Sequence, residues 1–289
     1  MDERTIAERT ALVTGGAKGI GRSVSEHLAA AGWHLVLCGR DGAALLRAQG
    51  EIEARHPVRV ATVALDLSEP TAASELFARF GGPQELPAAM VCAAADYGVL
   101  GPLAQVDFAR FKRSFDLNFF SVAELVQRYL RMALSGGPSP RRRIALFGGG
   151  GLGSAQVPPG ASAYQSAKAA LYRLVEVVHE EVHARGIEVN CVLPGLVDSG
   201  MADQALAAGP GLGEVYEAAR KARAGGGTSP ELVAALIVHL FSDACAGVSG
   251  RLLSARFDGA ALERPGAVLQ DPHRFRLRRI DQVLFGKLP

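Results

Sequence analysis

Two side chains near the middle of the chain have the types and the spacing needed for proton transfer. Tyr164 and Lys168 lie four residues apart in a segment, residues 163–185, whose apolar periodicity predicts a helix. Side chains at this spacing share one face of a helix. An ammonium group within about 4–6 Å of a tyrosine favours the tyrosinate, and so lowers a pKa that is ordinarily about 10. The pair predicts a tyrosine that protonates a carbonyl oxygen or deprotonates an alcohol. The alternative is an exposed tyrosine and lysine on a surface helix.

A glycine-rich loop near the start of the chain predicts a site for phosphate groups. The sequence TGGAKGIG at residues 14–21 follows an apolar run and precedes a helix predicted at residues 23–31. Gly15 allows a tight turn, Gly19 lets backbone N–H groups approach a pyrophosphate, and Gly21 lets the helix pack closely on the sheet. The alternative is an ordinary loop, but the flanking strand and helix are the context that the motif requires. We therefore expect a dinucleotide here.

Short apolar runs alternate with amphipathic stretches along most of the chain. We predict strands at residues 10–14, 34–38, 58–65, 88–94, 143–147, 188–193 and 252–255, and helices at residues 23–31, 42–55, 72–80, 108–134, 163–185 and 231–242. The alternation predicts an α/β fold, a doubly wound parallel sheet of the Rossmann type with helices on both faces. We expect residues 1–259 to form this domain. Residues 260–289 are expected to be a C-terminal extension, packed on the same domain or on a neighbouring subunit. The glycine-containing segment 201–227 looks irregular and is a candidate lid.

The order of these landmarks resembles the single-domain type of the short-chain dehydrogenase/reductase family. The loop has the spacing T-G-x-x-x-G-x-G, and it is followed along the chain by Asp66, Asn118, Tyr164, Lys168, Pro194, Gly195 and Ser199. The resemblance covers about residues 10–255. It implies that Tyr164 and Lys168 act together, that Lys168 also holds the nicotinamide ribose, and that Asn118 holds a water linking Lys168 to solvent.

The resemblance also implies contacts to a nicotinamide dinucleotide. Asp66 would hold the adenine, while Pro194, Val197 and Ser199 would fix the nicotinamide. The cofactor-binding residues that we expect are Thr14, Gly15, Lys18, Gly19, Ile20, Gly21, Arg40, Asp66, Leu67, Ala93, Tyr164, Lys168, Pro194, Val197 and Ser199. The chain departs from the family after strand four, where Cys92-Ala93-Ala94-Ala95 replaces Asn-Asn-Ala-Gly. The side-chain hydrogen bonds of those asparagines are expected to be lost.

The end of the second strand predicts NADP as the cofactor. NAD-dependent members of the family usually carry an acid in the place of Gly39, and the next residue is Arg40. Arg40 and Lys18 can both pair with a 2′-phosphate. The opposing observation is Asp41, which lies near the usual offset of a ribose-binding acid. We prefer NADP because two cations converge and Asp41 lies past the strand end. The alternative is that both cations are solvated surface charges.

The loop after the fifth strand lacks the serine with which the family normally binds the substrate oxygen. Gly148 or Gly149 stands in its place. Ser154, Ser162, a water, a substrate group or backbone N–H groups of the glycine run could replace the hydroxyl. The first expectation is an NADP(H)-dependent oxidoreductase that interconverts a carbonyl and an alcohol on a small or mid-sized metabolite. The missing serine leaves open a dehydratase, isomerase or cyclase that uses Tyr164, or a non-catalytic binding protein.

Composition narrows the partners and the compartment. The net charge of the 289 residues is +2, which gives no polyanion signal and predicts no nucleic-acid partner. The four cysteines are far apart and form no C-x-x-C pair, so they predict buried thiols in a reducing compartment and no metal. A charged start and the lack of apolar runs of about 18–20 residues predict no signal peptide and no membrane span, and hence a cytoplasmic protein.

Two features remain outside the core motifs. The long helices predicted at residues 108–134 and 163–185 are apolar on more than one face, and family resemblance agrees, which predicts a homo-oligomer, either a tetramer or a dimer. Basic and apolar residues alternate along residues 274–280 of the tail. This segment predicts either a clamp for an anionic substrate or, as we prefer, a tail packed across a neighbouring subunit. Tyr97, Phe147, Leu152, Val157, Met201 and Tyr216 are candidates for the substrate pocket.

Overall fold

Seven parallel strands form one sheet in the order β3-β2-β1-β4-β5-β6-β7. The computed structural model describes residues 7, 9–136, 141–149, 157–271 and 275–277. The strands are β1 (Thr10–Thr14), β2 (His34–Gly39), β3 (Val60–Ala64), β4 (Ala89–Cys92), β5 (Arg142–Phe147), β6 (Ile187–Leu193) and β7 (Leu252–Ser254). The strand order reverses between β1 and β4, and this switch point is where a doubly wound sheet opens a crevice for ligands. The predicted Rossmann-type fold is confirmed.

Helices cover both faces of the sheet. They are α1 (Gly19–Ala30), α2 (Gly42–Arg55), α3 (Ala72–Phe77), α4 (Phe108–Phe115), α5 (Ser121–Leu134), α6 (Ser162–Val182), α7 (Gly200–Ala208), α8 (Glu214–Lys221), α9 (Pro230–Phe241), α10 (Gly259–Leu262) and α11 (Pro265–Gln270). Successive strand residues point to opposite faces. Leu12 of β1 therefore joins the core cluster with α5 and α6, whereas its neighbour Val13 joins the cluster with α1 and α9. Because helices cover both faces, all five residues of the strand are buried, and the three central ones are apolar.

The prediction of one uninterrupted α-helix at residues 108–134 is wrong in one respect. α4 and α5 are joined by a π-helical turn at Asp116–Phe120, where the backbone N–H of Ser121 donates to the carbonyl of Asp116, five residues earlier. Within the turn, the side chain of Asn118 donates to the carbonyl of Ser114 at 2.8 Å. Such turns widen a helix locally and are frequent at functional sites.

The prediction that residues 201–227 are irregular is also wrong, because most of this segment is helical. α7 and α8 form a hairpin through a 3-10 turn at Pro210–Leu212. Its glycines suggested a loop, but alanine dominates the helical parts and has the highest helix propensity. The other differences concern element ends: the third and fourth strands are each shorter than residues 58–65 and 88–94.

The described part of the tail packs against its own chain. The backbone carbonyl of Phe275 accepts a hydrogen bond from the N–H of Leu252 in β7, 2.7 Å away. Arg276 forms an ion pair with Glu180 of α6 at 3.1 Å. Glu180 lies four helical turns beyond Tyr164 on the same helix. Arg276 therefore forms its ion pair far from the carboxyl ends of the strands, which contradicts the clamp interpretation for this arginine. Arg274 and Arg278 lie outside the described residues. None of the described helices is both long and apolar enough to cross a bilayer.

Candidate active site

A groove that holds about 330 Å³ runs past the carboxyl ends of β1, β2 and β4. The predicted cofactor residues that line it are Gly15, Lys18, Gly19, Ile20, Gly21, Arg40, Asp66, Leu67, Ala93 and Ser199. Thr14 lies just beneath, where its Oγ1 accepts hydrogen bonds from the N–H groups of Ala93 and Ala94 at 3.1 and 3.3 Å. Thr14 thus ties β1 to the end of β4, where the family's asparagines are absent.

The glycine loop leaves the start of α1 open toward this groove. Gly19 has a φ of +53°, and no side chain caps the N-terminus of α1. The N–H groups of the first helical turn are therefore without a side-chain acceptor, in a place where the helix end favours negative charge. A Cβ on Gly21 would overlap the carbonyl of Gly15, so this close packing of helix on loop requires glycine. These features fit a pyrophosphate.

Each of the two cations expected at a 2′-phosphate lies beside an acid. Lys18 Nζ is 2.7 Å from Asp41 Oδ2, and Arg40 is 3.8 Å from Asp66. Asp41 also caps α2 by accepting from the N–H of Ala44 at 2.9 Å, past the end of β2 as expected. Both pairs are exposed, and exposed pairs are weak. Lys18 and Arg40 thus share one end of the groove and can turn toward an anion there.

Tyr164 and Lys168 lie on α6, where both line a second, smaller pocket next to the groove. Lys168 Nζ is 5.8 Å from the centre of the Tyr164 ring, and the lysine is buried. Burial lowers the pKa of Lys168 to about 8. Burial also raises the pKa of Tyr164 well above its usual range, with Tyr97 and Tyr172 adding to the rise. The expectation that Lys168 lowers the tyrosine pKa is therefore wrong for the protein alone, because the ammonium loses its proton first.

Asn118 is fully buried inside the π-helical turn. Its Nδ2 donates to the carbonyls of Asp96 and Ser114, both at 2.8 Å. Its Oδ1 is buried and has no hydrogen-bond partner in the described part of the chain. A buried acceptor of this kind is ordinarily satisfied by water. Asn118 thus joins the π-helical turn to the segment after β4.

The two glycines after β5 are packed against tyrosines. A Cβ on Gly149 would overlap the hydroxyl of Tyr164, and a Cβ on Gly148 would lie 2.6 Å from a ring carbon of Tyr172. The Tyr172 hydroxyl accepts from the N–H of Gly149 and donates to its carbonyl, both at 3.0 Å. Sequence reasoning missed Tyr172. The available signal was its position four residues after Lys168, on the same face of α6 as the reacting pair.

Neither of the two serines proposed to replace the missing hydroxyl is placed at the pocket by the described residues. Ser162 is the first residue of α6 and is not among the residues that line the pocket. Ser154 and Leu152 lie outside the described residues.

The family model described as short chain dehydrogenase matches residues 9–208. The chain belongs to the short-chain dehydrogenase family. A 2-dehydro-3-deoxy-L-rhamnonate dehydrogenase (NAD(+)) from Sphingomonas sp. strain SKA58 is 27% identical over 198 residues, which are 68% of this chain and 76% of that protein. A chloroplastic NADPH-dependent aldehyde reductase-like protein from Arabidopsis thaliana is 28% identical over 210 residues, or 68% and 75% of the two chains.

Solved structures agree. The RhlG/NADP active-site complex of Pseudomonas aeruginosa superposes with a TM-score of 0.72 at 28% identity, covering 85% of this chain and 94% of that one. This short-chain dehydrogenase is thus an oxidoreductase that interconverts carbonyls and alcohols with a nicotinamide cofactor.

The substrate side of this dehydrogenase is apolar. A pocket of about 120 Å³ adjoins the cofactor groove and is lined by Ile20, Ala93, Ala95, Tyr97, Phe147, Gly148, Tyr164, Lys168, Pro194, Gly195, Leu196, Val197, Ser199, Met201, Ala202, Ala218, Ala219 and Ala222. Tyr97, Phe147 and Met201 of the predicted set are present. Val157 is 65% exposed and does not line the pocket, and neither does Tyr216.

The α7–α8 hairpin closes one side of the pocket. A small core cluster, formed by Ala161, Ala202, Ala205, Val215 and Ala219, packs the hairpin on the body of the dehydrogenase. At its open end Arg223 forms ion pairs with Asp198 and Asp203. Asp198 precedes Ser199, so the same contacts tie the hairpin to the loop after β6.

One cluster of possible metal ligands occurs in the described part of the dehydrogenase. Side-chain atoms of His179, Glu180 and His183 lie within 4.8 Å of one another on α6. Glu180 is paired with Arg276, and burial together with the Arg276 charge lowers the pKa of His179. We assign no metal to this cluster, because the adjacent guanidinium opposes a second cation.

Proposed function

We propose that the protein is an NADP(H)-dependent reductase of uncharged, largely apolar carbonyl compounds. The observation that carries the cofactor choice is the end of β2. Gly39 lines the groove, and a Cβ there would meet nothing closer than 4.0 Å. Packing therefore does not require glycine, and an acid would fit. Its absence, with Arg40 and Lys18 alongside, leaves space and positive charge for a 2′-phosphate.

Relatives with either cofactor exist, so the groove itself has to support the choice. The name of the Sphingomonas relative specifies NAD(+), whereas that of the Arabidopsis relative specifies NADPH. The P. aeruginosa structure at 28% identity is a complex with NADP. When bound, NADPH supplies a hydride to the carbonyl carbon. The uncapped start of α1 would hold its pyrophosphate, and Lys168 its nicotinamide ribose.

Tyr164 supplies the proton. Its raised pKa keeps the phenol protonated at neutral pH, and no described residue is hydrogen-bonded to its hydroxyl. A protonated donor suits reduction, in which the carbonyl oxygen gains a proton as negative charge develops on it. Lys168, with a pKa of about 8, can return a proton from solvent, and a water bound to the unpaired Oδ1 of Asn118 would carry it.

The substrate class follows from the pocket lining. Apart from Lys168, no described residue that lines it carries a charge at neutral pH, and eleven of the eighteen are alanine, isoleucine, leucine, methionine, phenylalanine or valine. The sequence of residues 150–156, GGLGSAQ, contains no charged residue either. A charged substrate group would lose its hydration there, and the one charged side chain among the described lining residues is Lys168, which is assigned to the nicotinamide ribose. Neutral ketones and aldehydes are the compounds that this lining favours.

The test is NADPH oxidation, followed by absorbance, with a matched pair of carbonyl compounds. Acetophenone is neutral, and phenylglyoxylate adds a carboxylate next to the same reacting group. We expect oxidation of NADPH with acetophenone and little with phenylglyoxylate. Preference for the anion would contradict the substrate class. A protein that binds NADPH but oxidises it with no member of a broad carbonyl panel would contradict the function.

A non-redox enzyme on the same scaffold is the second candidate, favoured by the glycines at the serine position. Such an enzyme would use Tyr164 for proton transfer and leave the cofactor unchanged. The same assay separates the two, because a dehydratase, isomerase or cyclase converts its substrate without any change in NADPH absorbance.

The proposal extends to assembly and location. Phe108, Phe111 and Phe115 stack along α4 at 5.4 and 5.5 Å, and Phe108 is 61% exposed. An apolar aromatic face of this kind favours a homo-oligomer, a dimer or tetramer. Residues 260–289 are proposed to be a C-terminal extension, in whose described part Arg276 pairs with Glu180 of α6. The four cysteines are buried free thiols, which suits the cytoplasm. Light scattering at micromolar concentration tests the assembly.

A further inference from the structure

Tyr97 places a second phenol beside the proton donor. Its ring meets the ring of Tyr164 edge to face, with centroids 5.1 Å apart and planes at 68°. The side chain is half-buried and lines the pocket. Its hydroxyl has no hydrogen-bond partner among the described residues. A polar group in an apolar pocket without a protein partner is available to a ligand.

Hydrogen bonds hold both the N–H and the carbonyl of Tyr97, so the backbone from which its ring projects is fixed in position. Its N–H donates to Gln204 Oε1 of α7 at 3.0 Å, and its carbonyl accepts from Ser114 Oγ at 3.1 Å. The next residue, Gly98, has a φ of +68°, and a Cβ there would lie 2.6 Å from Ser114 Cβ. Preorganised donors of this kind are the ones that stabilise a reacting oxygen most effectively.

Few other side chains in the pocket can donate a hydrogen bond. The described residues that line it and carry a side-chain donor are Tyr97, Tyr164, Lys168 and Ser199. Ser199 also lines the cofactor groove, and Lys168 is assigned to the ribose. Tyr172 is excluded because its hydroxyl bonds both the N–H and the carbonyl of Gly149. Burial raises the pKa of Tyr97, so its hydroxyl stays protonated at neutral pH.

We infer that Tyr97 is a catalytic residue, whose hydroxyl donates a hydrogen bond to the same substrate oxygen that Tyr164 protonates. The inference rests on the proposed carbonyl reduction. The carbonyl carbon gains a hydride from the nicotinamide, the oxygen gains the proton of Tyr164, and Tyr97 keeps its own proton throughout. Tyr97 would thus supply the second donor that relatives take from a serine after β5, from a different segment of the chain.

The kinetic test compares conservative variants. Tyr97→Phe keeps the ring that packs on Tyr164 and removes only the hydroxyl. With acetophenone and NADPH we expect kcat to fall about 100-fold, the scale for loss of one oxyanion donor. NADPH affinity should be unchanged. Tyr216→Phe removes a hydroxyl from a tyrosine outside the pocket and is the matched control, with wild-type kcat expected. Ser154→Ala tests the alternative donor.

A spectroscopic test reads the hydrogen bond without turnover. Acetophenone with a 13C-labelled carbonyl is bound to the complex with NADP+, which cannot transfer hydride, and its carbonyl stretch is recorded by infrared difference spectroscopy. Hydrogen bonding shifts the stretch to lower frequency. We expect part of this shift to be lost in Tyr97→Phe, part in Tyr164→Phe, and nearly all in the double variant.

The outcomes separate the two proposals. If wild-type protein oxidises no NADPH, the proposed function fails, while the infrared shifts still decide whether Tyr97 donates a hydrogen bond to a bound carbonyl. The role is overturned if Tyr97→Phe retains both wild-type kcat and the full carbonyl shift. It is also overturned if Ser154→Ala, rather than Tyr97→Phe, removes the shift.

Discussion

Gly39 at the end of β2 and Gly149 after β5 show how differently the two halves of the active site are built. The cofactor half is the groove past β1, β2 and β4, and the catalytic half is the pocket around Tyr164. A Cβ on Gly39 meets nothing nearer than Leu45, at 4.0 Å. A Cβ on Gly149 would overlap the hydroxyl of Tyr164, while Tyr172 holds both polar groups of the Gly149 peptide. In the cofactor half glycine leaves a space that a phosphate can use. In the catalytic half glycine is the residue that lets two tyrosines pack closely.

The packing around Gly148 and Gly149 also bears on the absence of a serine hydroxyl after β5. The volume that a side chain at Gly148 would occupy is filled by Tyr172 and Leu193. We therefore propose that Gly148 and Gly149 are adapted to these neighbours, and restoring a serine tests this. The predictions below test each half, in order of expected effect.

Removing the Tyr164 hydroxyl should have the largest effect. Tyr164→Phe keeps the ring, so the contact with Tyr97 is maintained and the proton donor alone is lost. We expect kcat to fall by about 10²–10⁴-fold, the usual scale for positioned proton transfer. Unchanged NADPH binding by fluorescence titration is the control for folding. Wild-type turnover in this variant would refute the role of the tyrosine.

Restoring the family's serine should damage this site. Gly149→Ser brings a Cβ against the Tyr164 hydroxyl, and overpacking of this kind costs about 1–3 kcal/mol, or roughly 5- to 150-fold if it is expressed in kcat. Gly50→Ser, on α2 with open space around it, is the matched control and should behave as wild type. Steady-state kinetics with acetophenone measure both. A large gain in turnover on restoring serine would show that the loop is a damaged site.

Filling the space at Gly39 should change the cofactor. Gly39→Asp places a carboxylate at the end of β2, where it can bind the adenosine ribose and repel a 2′-phosphate. We expect the ratio of NADPH to NADH affinity to fall by about 10- to 100-fold, equivalent to about 1.4–2.8 kcal/mol. Arg40→Ala should weaken NADPH alone. Equal effects of either variant on the two cofactors would show that this end of the groove does not choose between them.

Lys168 should lower the stability of the fold in a pH-dependent way. Its pKa falls from 10.5 to about 8 in the folded protein, so between these values the unfolded chain binds more protons and stability rises with pH. At pH 7 the buried ammonium is destabilising. Lys168→Met should therefore raise the unfolding free energy at pH 7 by about 1–2 kcal/mol while removing activity, since a charge is no longer buried.

Urea titrations at neutral and alkaline pH measure this difference. It should shrink as the pH rises through 8 toward 10, because the wild-type lysine becomes neutral in the folded state. An unfolding free energy that is lower in the methionine variant at both pH values would contradict the account.

The two halves also differ in how far sequence predicts them. The residues of the cofactor half follow one another at fixed spacing around a strand, a turn and a helix, so local pattern located Gly15, Gly19 and Gly21. Arg40 and Asp66 follow neighbouring strands and were found in the same way. Local pattern could not show that Lys18 lies against Asp41, because the rotamers of exposed side chains leave no trace in the sequence.

The catalytic half depends on contacts between distant segments. Tyr164 and Lys168 were predictable because they share one helix. Tyr97 and Gly149 reach Tyr164 from the ends of β4 and β5, and only the packed sheet brings these segments together. The same packing explains why the pKa of Tyr164 rises, although the sequence predicted a fall. Burial raises the pKa of Tyr164 and lowers that of Lys168, and this effect outweighs the attraction between a tyrosinate and the ammonium.

Deuterium transfer tests the central claim most directly. NADPH labelled with deuterium at C4 of the nicotinamide, as each of the two stereoisomers, is mixed with acetophenone and enzyme in a single turnover, and the product is analysed by mass spectrometry. The account predicts deuterium on the carbinol carbon from one stereoisomer, and almost none over the same time with Tyr164→Phe. Conversion of a substrate without deuterium transfer, or equal transfer by the phenylalanine variant, would contradict it.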